Sequence, residues 1–159
     1  MKKDFYNNLP KKRMATGILV PYENKFLVVK PGYKEMWSVP GGIIEHNESP
    51  LDCAIREAKE EIGLDLEITN LLGIDYTEHE NHEHGENLQF TFLSKPLTDK
   101  LIGQIIIDNN EIIDYRFVPA NELKNILNSK LAKRICTIIQ NNNFSQTLYL
   151  HNGGLVLPR

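Results

Sequence analysis

Residues 42–64 read Gly-Ile-Ile-Glu-His-Asn-Glu-Ser-Pro-Leu-Asp-Cys-Ala-Ile-Arg-Glu-Ala-Lys-Glu-Glu-Ile-Gly-Leu. The second half of this stretch carries its own boundaries. Ser49 offers a hydroxyl to the open N–H groups of a first helical turn, Pro50 brings the fixed φ that the first position needs, and Gly63 suits a left-handed exit. A helix over residues 49–62 is therefore predicted. At 100° per residue, Leu51, Ala54, Ile55, Ala58 and Ile62 fall within about 100° of arc, a dry stripe wide enough to lie on a sheet. Glu57 stands three residues from Glu60 and four from Glu61, so the three carboxylates project to neighbouring positions. Like charges at that spacing destabilise a helix, and a bound cation would relieve the repulsion.

Carboxylate oxygens favour hard ions, and magnesium binds a few carboxylates while keeping waters and taking substrate phosphates. Glu57 and Glu61 border the apolar stripe, where burial would fix their rotamers, and are the first ligand candidates. Glu60 projects further towards solvent. Arg56 can orient a carboxylate through charge-assisted hydrogen bonds, its partner to be found in space because adjacent helical residues do not face each other. An acidic helix face taken alone reads equally well as a solvated surface. The loop before it shifts that balance.

Gly42, Glu48 and the run Arg56-Glu57-Ala58-Lys59-Glu60-Glu61-Ile62-Gly63-Leu64, with five residues between Gly42 and Glu48 and seven between Glu48 and Arg56, resemble the Nudix box of the MutT-like hydrolases. Ala58 stands where the strict pattern asks for a larger aliphatic residue. It still belongs to the dry stripe. The resemblance implies an α/β fold, an α/β/α sandwich around a mixed β-sheet, in which a loop, helix and loop hold a divalent metal against a diphosphate. It implies Glu57 and Glu61 as metal ligands, Glu60 as a third ligand or water-bridged contact, Arg56 and Glu48 as supporting residues, and the Gly42 carbonyl as a further metal contact. An acidic residue beyond the box completes such sites, and Glu111 occupies a suitable position. Magnesium is the implied cofactor, with manganese as a substitute, and Glu57 and Glu60 are the candidates for a general base.

Outward from the box, residues 14–20 and 25–30 flank the turn-rich Pro21-Tyr22-Glu23-Asn24 and read as paired strands. Residues 66–72, 74–77, 88–93 and 113–118 are rich in β-branched and aromatic side chains and read as further strands, with 101–107 a weaker one. A helix is predicted over 129–140 and a shorter one from about Asn121. Residues 148–150 and 155–157 are short apolar segments in a tail, 141–159, whose geometry Gly153-Gly154 leaves open. Residues 1–13 read as an N-terminal extension to a single domain over 1–159. Tyr33, Trp37 and Phe90 are candidates to stack on a base, against the commoner role of aromatics as core. Residues 78–86, Glu-His-Glu-Asn-His-Glu-His-Gly-Glu, form a long polar link whose histidines and Glu86 could face substrate. A zinc site there is disfavoured, because the spacing matches no structural pattern.

A length of 159 residues fits one core, and a net charge of −3 with pI near 6.0 argues against broad nucleic-acid binding. Cys53 and Cys136 show neither finger nor redox-pair spacing, and no apolar run reaches signal-peptide or membrane-spanning length. A reducing cytoplasm and a small nucleotide substrate are expected, with a homodimer implied by the resemblance. The leading function is magnesium-dependent hydrolysis of a pyrophosphate linkage in a nucleotide sugar such as ADP-ribose or in a nucleoside triphosphate. A non-catalytic nucleotide-binding or regulatory module on the same scaffold is the alternative.

Overall fold

A computed structural model describes residue 5, residues 7–78 and residues 85–156. Within them, strands β1 (Arg13–Leu19), β2 (Pro21–Tyr22) and β3 (Lys25–Pro31) precede helix α1 (Pro50–Ile62). Strands β4 (Ile68–Thr77) and β5 (Asn87–Ser94), a turn of helix α2 (Asp99–Ile102), strand β6 (Ile112–Pro119) and helices α3 (Leu123–Ile126) and α4 (Ser129–Asn141) follow, then strands β7 (Leu148–His151) and β8 (Gly154–Leu155). The strands form a five-stranded mixed sheet in the order β1-β5-β4-β7-β8 and a three-stranded antiparallel sheet β2-β3-β6.

Strand alternation divides the interior into two cores. On β3, Phe26 and Val28 point to a core shared with Ala132, Ile135 and Ile138 of α4. Leu27 and Val29 point the other way, to Ala54, Ala58 and Ile62 of α1. The two long helices therefore cover opposite faces, which is the predicted sandwich. Fully buried residues such as Ile18, Leu27, Ile62 and Ile135 each contribute about 1.5–3 kcal/mol relative to exposure.

Several expected details change. Residues 14–20 do not pair with 25–30 as a hairpin. β1 runs parallel to β5, from Arg13 beside Asn87 to Leu19 beside Leu93, and the fold-back is limited to Pro21-Tyr22 on Lys25-Phe26 and to Val20 O, which accepts from Leu27 N–H at 2.9 Å. The turn at Glu23-Asn24 is real, but Pro21 lacks the N–H that a longer ladder needs. The two strands expected at 66–72 and 74–77 are one, β4, with register shifts near Leu71 and Gly73. The weak strand at 101–107 is instead a capped helical turn followed by coil, Thr98 accepting from Leu101 N–H. The tail is ordered through residue 156: β7 lies parallel to β4 and buries Leu148 and Leu150, which closes the first core.

Candidate active site

Helix α1 begins and ends as its sequence dictates. Ser49 Oγ accepts from Asp52 N–H at 3.1 Å, Pro50 opens the first turn, and Gly63, at φ 72°, donates its N–H to Lys59 O. The buried arc is rotated from the predicted stripe: Leu51 and Ile55 are 44% and 38% exposed, while Cys53, Ala54, Ala58, Glu61 and Ile62 are buried. Cys53 causes the shift. It tucks under the preceding loop, with Sγ 3.5 Å from both Ile43 O and Thr16 Oγ1, and burial pushes its thiol up to about 11. The rotation carries Glu61 inward and leaves Ala58, the small residue at an expected large position, fully buried.

Two glycines join the loop to this helix. Gly41, at φ 146°, holds a backbone conformation that side chains rarely adopt, and a Cβ there would stand 2.2 Å from Thr16 O. Its N–H donates to Glu61 Oε2 at 2.9 Å. Gly42 lets Glu57 approach, because a Cβ at that position would lie 2.2 Å from Glu57 Oε1. The Gly42 carbonyl accepts from Thr16 N–H at 2.9 Å, which pins the loop to β1 and leaves a second lone pair.

Arg56 is the hub of the acidic group. Its Nε and Nη2 take Glu48 Oε1 and Oε2 at 2.7 and 3.0 Å, a bidentate pair. Its Nη1 donates to Glu57 Oε1 and to Glu60 Oε2, both at 2.8 Å, so the guanidinium bends back to its own neighbour as well as across the loop. Arg56 and the Glu45 N–H hold Glu48 down to about 2. The same carboxylates, Glu48 foremost, raise Arg56 and keep it charged. Glu57 is shifted upward by burial against the opposing pull of Arg56. Glu61 is shifted furthest: burial pushes it up to about 8 despite the Gly41 N–H, with the charges of Glu57 and Glu111 adding to the shift. Glu60 turns outward, 56% exposed, and stays with Arg56.

Glu57, Glu61, Gly41 and Gly42 line one side of a cleft of about 440 Å³, and Glu111 and Tyr33 stand at its mouth. Asp108 shapes the Glu111 loop by accepting the N–H groups of Asn110, Glu111 and Ile112, which lowers its own pKa. Gly32 N–H bonds Glu111 O, tying the Tyr33 segment to the same loop. The donor set is carboxylate and carbonyl oxygen, burial and the neighbouring glutamates make the Glu61 anion unfavourable without a counter-ion, and the close glycines leave room beside both glutamates. These residues fit a hard divalent cation. Among the described residues no three potential ligands already converge as a closed cage, because Arg56 draws Glu57 and Glu60 towards itself.

The other expected substrate residues are dispersed. Phe90 lines the cleft while packing on the second core. Trp37 packs on the first core beneath the Arg116 guanidinium, 3.8 Å from its ring centre, and lines an adjoining groove. Glu86 is taken by Tyr76 Oη and Lys12 Nζ, outside the cleft lining. Residues 79–84 of the polar link lie outside the described residues. Its near end, Glu78, pairs with His151 Nε2 at 2.9 Å.

The wall formed by β4, β5 and α4 went unread in the sequence. Thr77, Asn87, Gln89, Lys130 and Arg134 line it. Behind them Asp75 Oδ2 accepts from Arg134 Nε at 2.7 Å and from Thr77 Oγ1 at 3.4 Å, while its Oδ1 accepts from Gly153 N–H at 3.0 Å. One signal was present: Arg134 interrupts an apolar helical face between Leu131 and Ile138, a place where an arginine needs a buried partner.

Comparison with known proteins agrees with this geometry. The chain is 30% identical over 132 residues to Nudix hydrolase 8 of Arabidopsis thaliana, an alignment covering 78% of this chain and 34% of that protein. It is 32% identical over 97 residues to the 8-oxo-dGTP diphosphatase of Proteus vulgaris, covering 57% and 85%. Against several relatives, the aligned part spans only about a third to a half of their length, from 34% to 54%. The MutT protein of Methanosarcina mazei Go1 superposes with a TM-score of 0.69 at 17% identity, covering 86% of this chain and 99% of that one. The NUDIX domain model matches residues 11–137, a span holding the whole acidic site, and the chain belongs to that family.

Proposed function

We propose that the protein is a magnesium-dependent hydrolase that cuts the pyrophosphate linkage of a nucleoside diphosphate derivative, a nucleotide sugar or a nucleoside triphosphate. The observation that carries this reading is the pair Glu57 and Glu61, pressed into a cleft wall where burial shifts both upward. Such a pair is poorly placed for stability and well placed for a cation. Glu57, Glu61 and the Gly42 carbonyl would hold magnesium, with Glu111 completing the set. The ion supplies charge neutralisation at phosphate and a more acidic bound water.

The chain's own residues do the positioning. Arg56 holds Glu57 by Oε1 and is fixed in turn by both oxygens of Glu48, an arrangement that would leave Glu57 Oε2 for the ion. Gly41 N–H orients Glu61. Lys34 and Lys130 line the same cleft and screen phosphate charge. Glu57 is the better base candidate, since Glu60 lies outward on Arg56.

The relatives' names support nucleotide chemistry. The reading extends to a reducing cytoplasm, in keeping with two cysteines that are free thiols. No helix of the described residues is long and apolar enough to cross a membrane. The dimer implied by the resemblance is checked by the mass in solution. The decisive experiment is a hydrolysis screen over nucleotide sugars, nucleoside triphosphates and dinucleoside polyphosphates with magnesium, with product masses identifying the bond cut. Glu57→Gln and Glu61→Gln should each reduce turnover by about 10²-fold or more, the scale of losing a preorganised electrostatic group. Full activity in both substitutions rejects the site, and tight binding without turnover favours the regulatory alternative.

A further inference from the structure

The strand register gives the cleft a direction. Ile43, next to Gly42, bridges Ala15; Ala15 lies beside Gln89; Gln89 lies beside Asp75. One rung of the sheet thus leads from the box loop to the buried aspartate, three strand spacings or about 14 Å away. Glu57 and Glu61 at one end of this rung and Gln89 and Arg134 at the other line the same cleft.

Arg134 is buried but only partly used. Its Nε is spent on Asp75, and among the described residues neither terminal amino group has a hydrogen-bond acceptor, although the residue lines the cleft. Asp75 compensates the positive charge, so what Arg134 presents is a directed fork of donors more than a net charge. Beside it Gln89 Nε2 donates to Asn87 Oδ1 at 2.9 Å, which orients two neutral amides on the same wall. At Arg134 itself, where Asp75 offsets the charge, a neutral, planar group with two adjacent acceptors fits better than a second anion, whereas Lys130 is the cation of this wall without a counter-charge among the described residues.

We propose that Arg134 reads the base of the substrate, and that it selects the O6/N7 edge of a guanine-type purine. This rests on the cleft being a nucleoside diphosphate site. The fork of an arginine matches two adjacent acceptors, whereas adenine places an amino donor beside its N7 and uracil offers no ring acceptor next to its carbonyl on that edge. Cytosine O2/N3 is the competing match, so tighter binding of CMP than of GMP also overturns the proposal. Asp75 is then a positioning residue, holding the guanidinium by Nε so that its free end faces the base.

The test is equilibrium binding of GMP, AMP, UMP and CMP, which contain no pyrophosphate linkage, to the full chain with magnesium, for wild type and Arg134→Lys. Lysine keeps a positive charge opposite Asp75 but loses the fork. Wild type should prefer GMP by about tenfold or more, the scale of one bidentate base contact. Arg134→Lys should bring the four nucleotides within about threefold of one another. Equal affinities in wild type, no binding of any of the four, or a guanine preference that survives in Arg134→Lys overturns the proposal. The wild-type comparison stands even if the variant fails to fold. Pyrophosphate hydrolysis without base preference would leave the enzymatic reading intact and remove this one alone.

Discussion

Asp75 and Glu61 are both carboxylates withdrawn from water, 1% and 8% exposed, yet the surrounding chain treats them in opposite ways. Asp75 receives a guanidinium, a backbone N–H and a hydroxyl. Glu61 receives one backbone N–H and stands within the field of two other glutamates, offset only in part by Lys34. The first site is internally neutralised and holds α4 and the β7-β8 turn to the sheet. The second is left short of positive charge, which is the condition for recruiting a cation. Similar burial therefore gives a fastening at one end of the cleft and, on the proposed reading, a cation receptor at the other.

Breaking the fastening should have the largest effect. Asp75→Ala leaves Arg134 buried without a counter-charge and should lower unfolding free energy by about 3–5 kcal/mol in a urea titration. A loss below about 1 kcal/mol would mean that Arg134 finds water or another acceptor, and the contrast with Glu61 would fail.

The receptor end should respond to pH with the opposite sign from an ordinary salt-bridged carboxylate. Glu61 in the folded, metal-free chain titrates near 8, above its ordinary value of 4.5. Between those values the folded state holds a proton that the unfolded state has released. Stability from this group is thus fully present below about pH 4.5 and falls as pH rises towards 8, by at most about 1.4 kcal/mol per pH unit. Denaturation in chelator at pH 5, 6.5 and 8 should show the decline, Glu61→Gln should flatten it, and magnesium should restore wild type at pH 8. Glu48 works in a separate window: held near 2, it contributes stability above pH 4.5 that is lost as pH falls towards 2. The smallest effect should come from a pair that is neither fastening nor receptor. Lys59 and Asp65 meet at 2.7 Å in the open, and Lys59→Ala should change stability by less than about 1 kcal/mol.

How far the sequence revealed this contrast depends on the range of the interactions. Glu48, Arg56, Glu57 and Glu61 lie within one loop and one helix, so spacing and helical geometry bring them together without knowledge of the rest. The caps at Ser49 and Gly63 are legible for the same reason. Asp75 and Arg134 are 59 residues apart and meet only because β4 and α4 are packed in a third dimension that periodicity does not encode. The parallel pairing of β1 with β5 was hidden likewise, since a turn sequence announces a nearby partner and a crossover announces none. The stripe through Leu51 and Ile55 misled because a wheel projection counts hydrophobicity and cannot foresee Cys53 wedged beneath the loop.

The hydrogen bond from Gly153 to Asp75 crosses a boundary, for the family segment ends at residue 137 and Gly153 lies beyond it. Variation in the last two strands can therefore retune one wall of the cleft through a single backbone amide, while the acidic box is untouched. Editing this peripheral clasp would alter what the cleft admits while leaving the glutamates of the box as inherited.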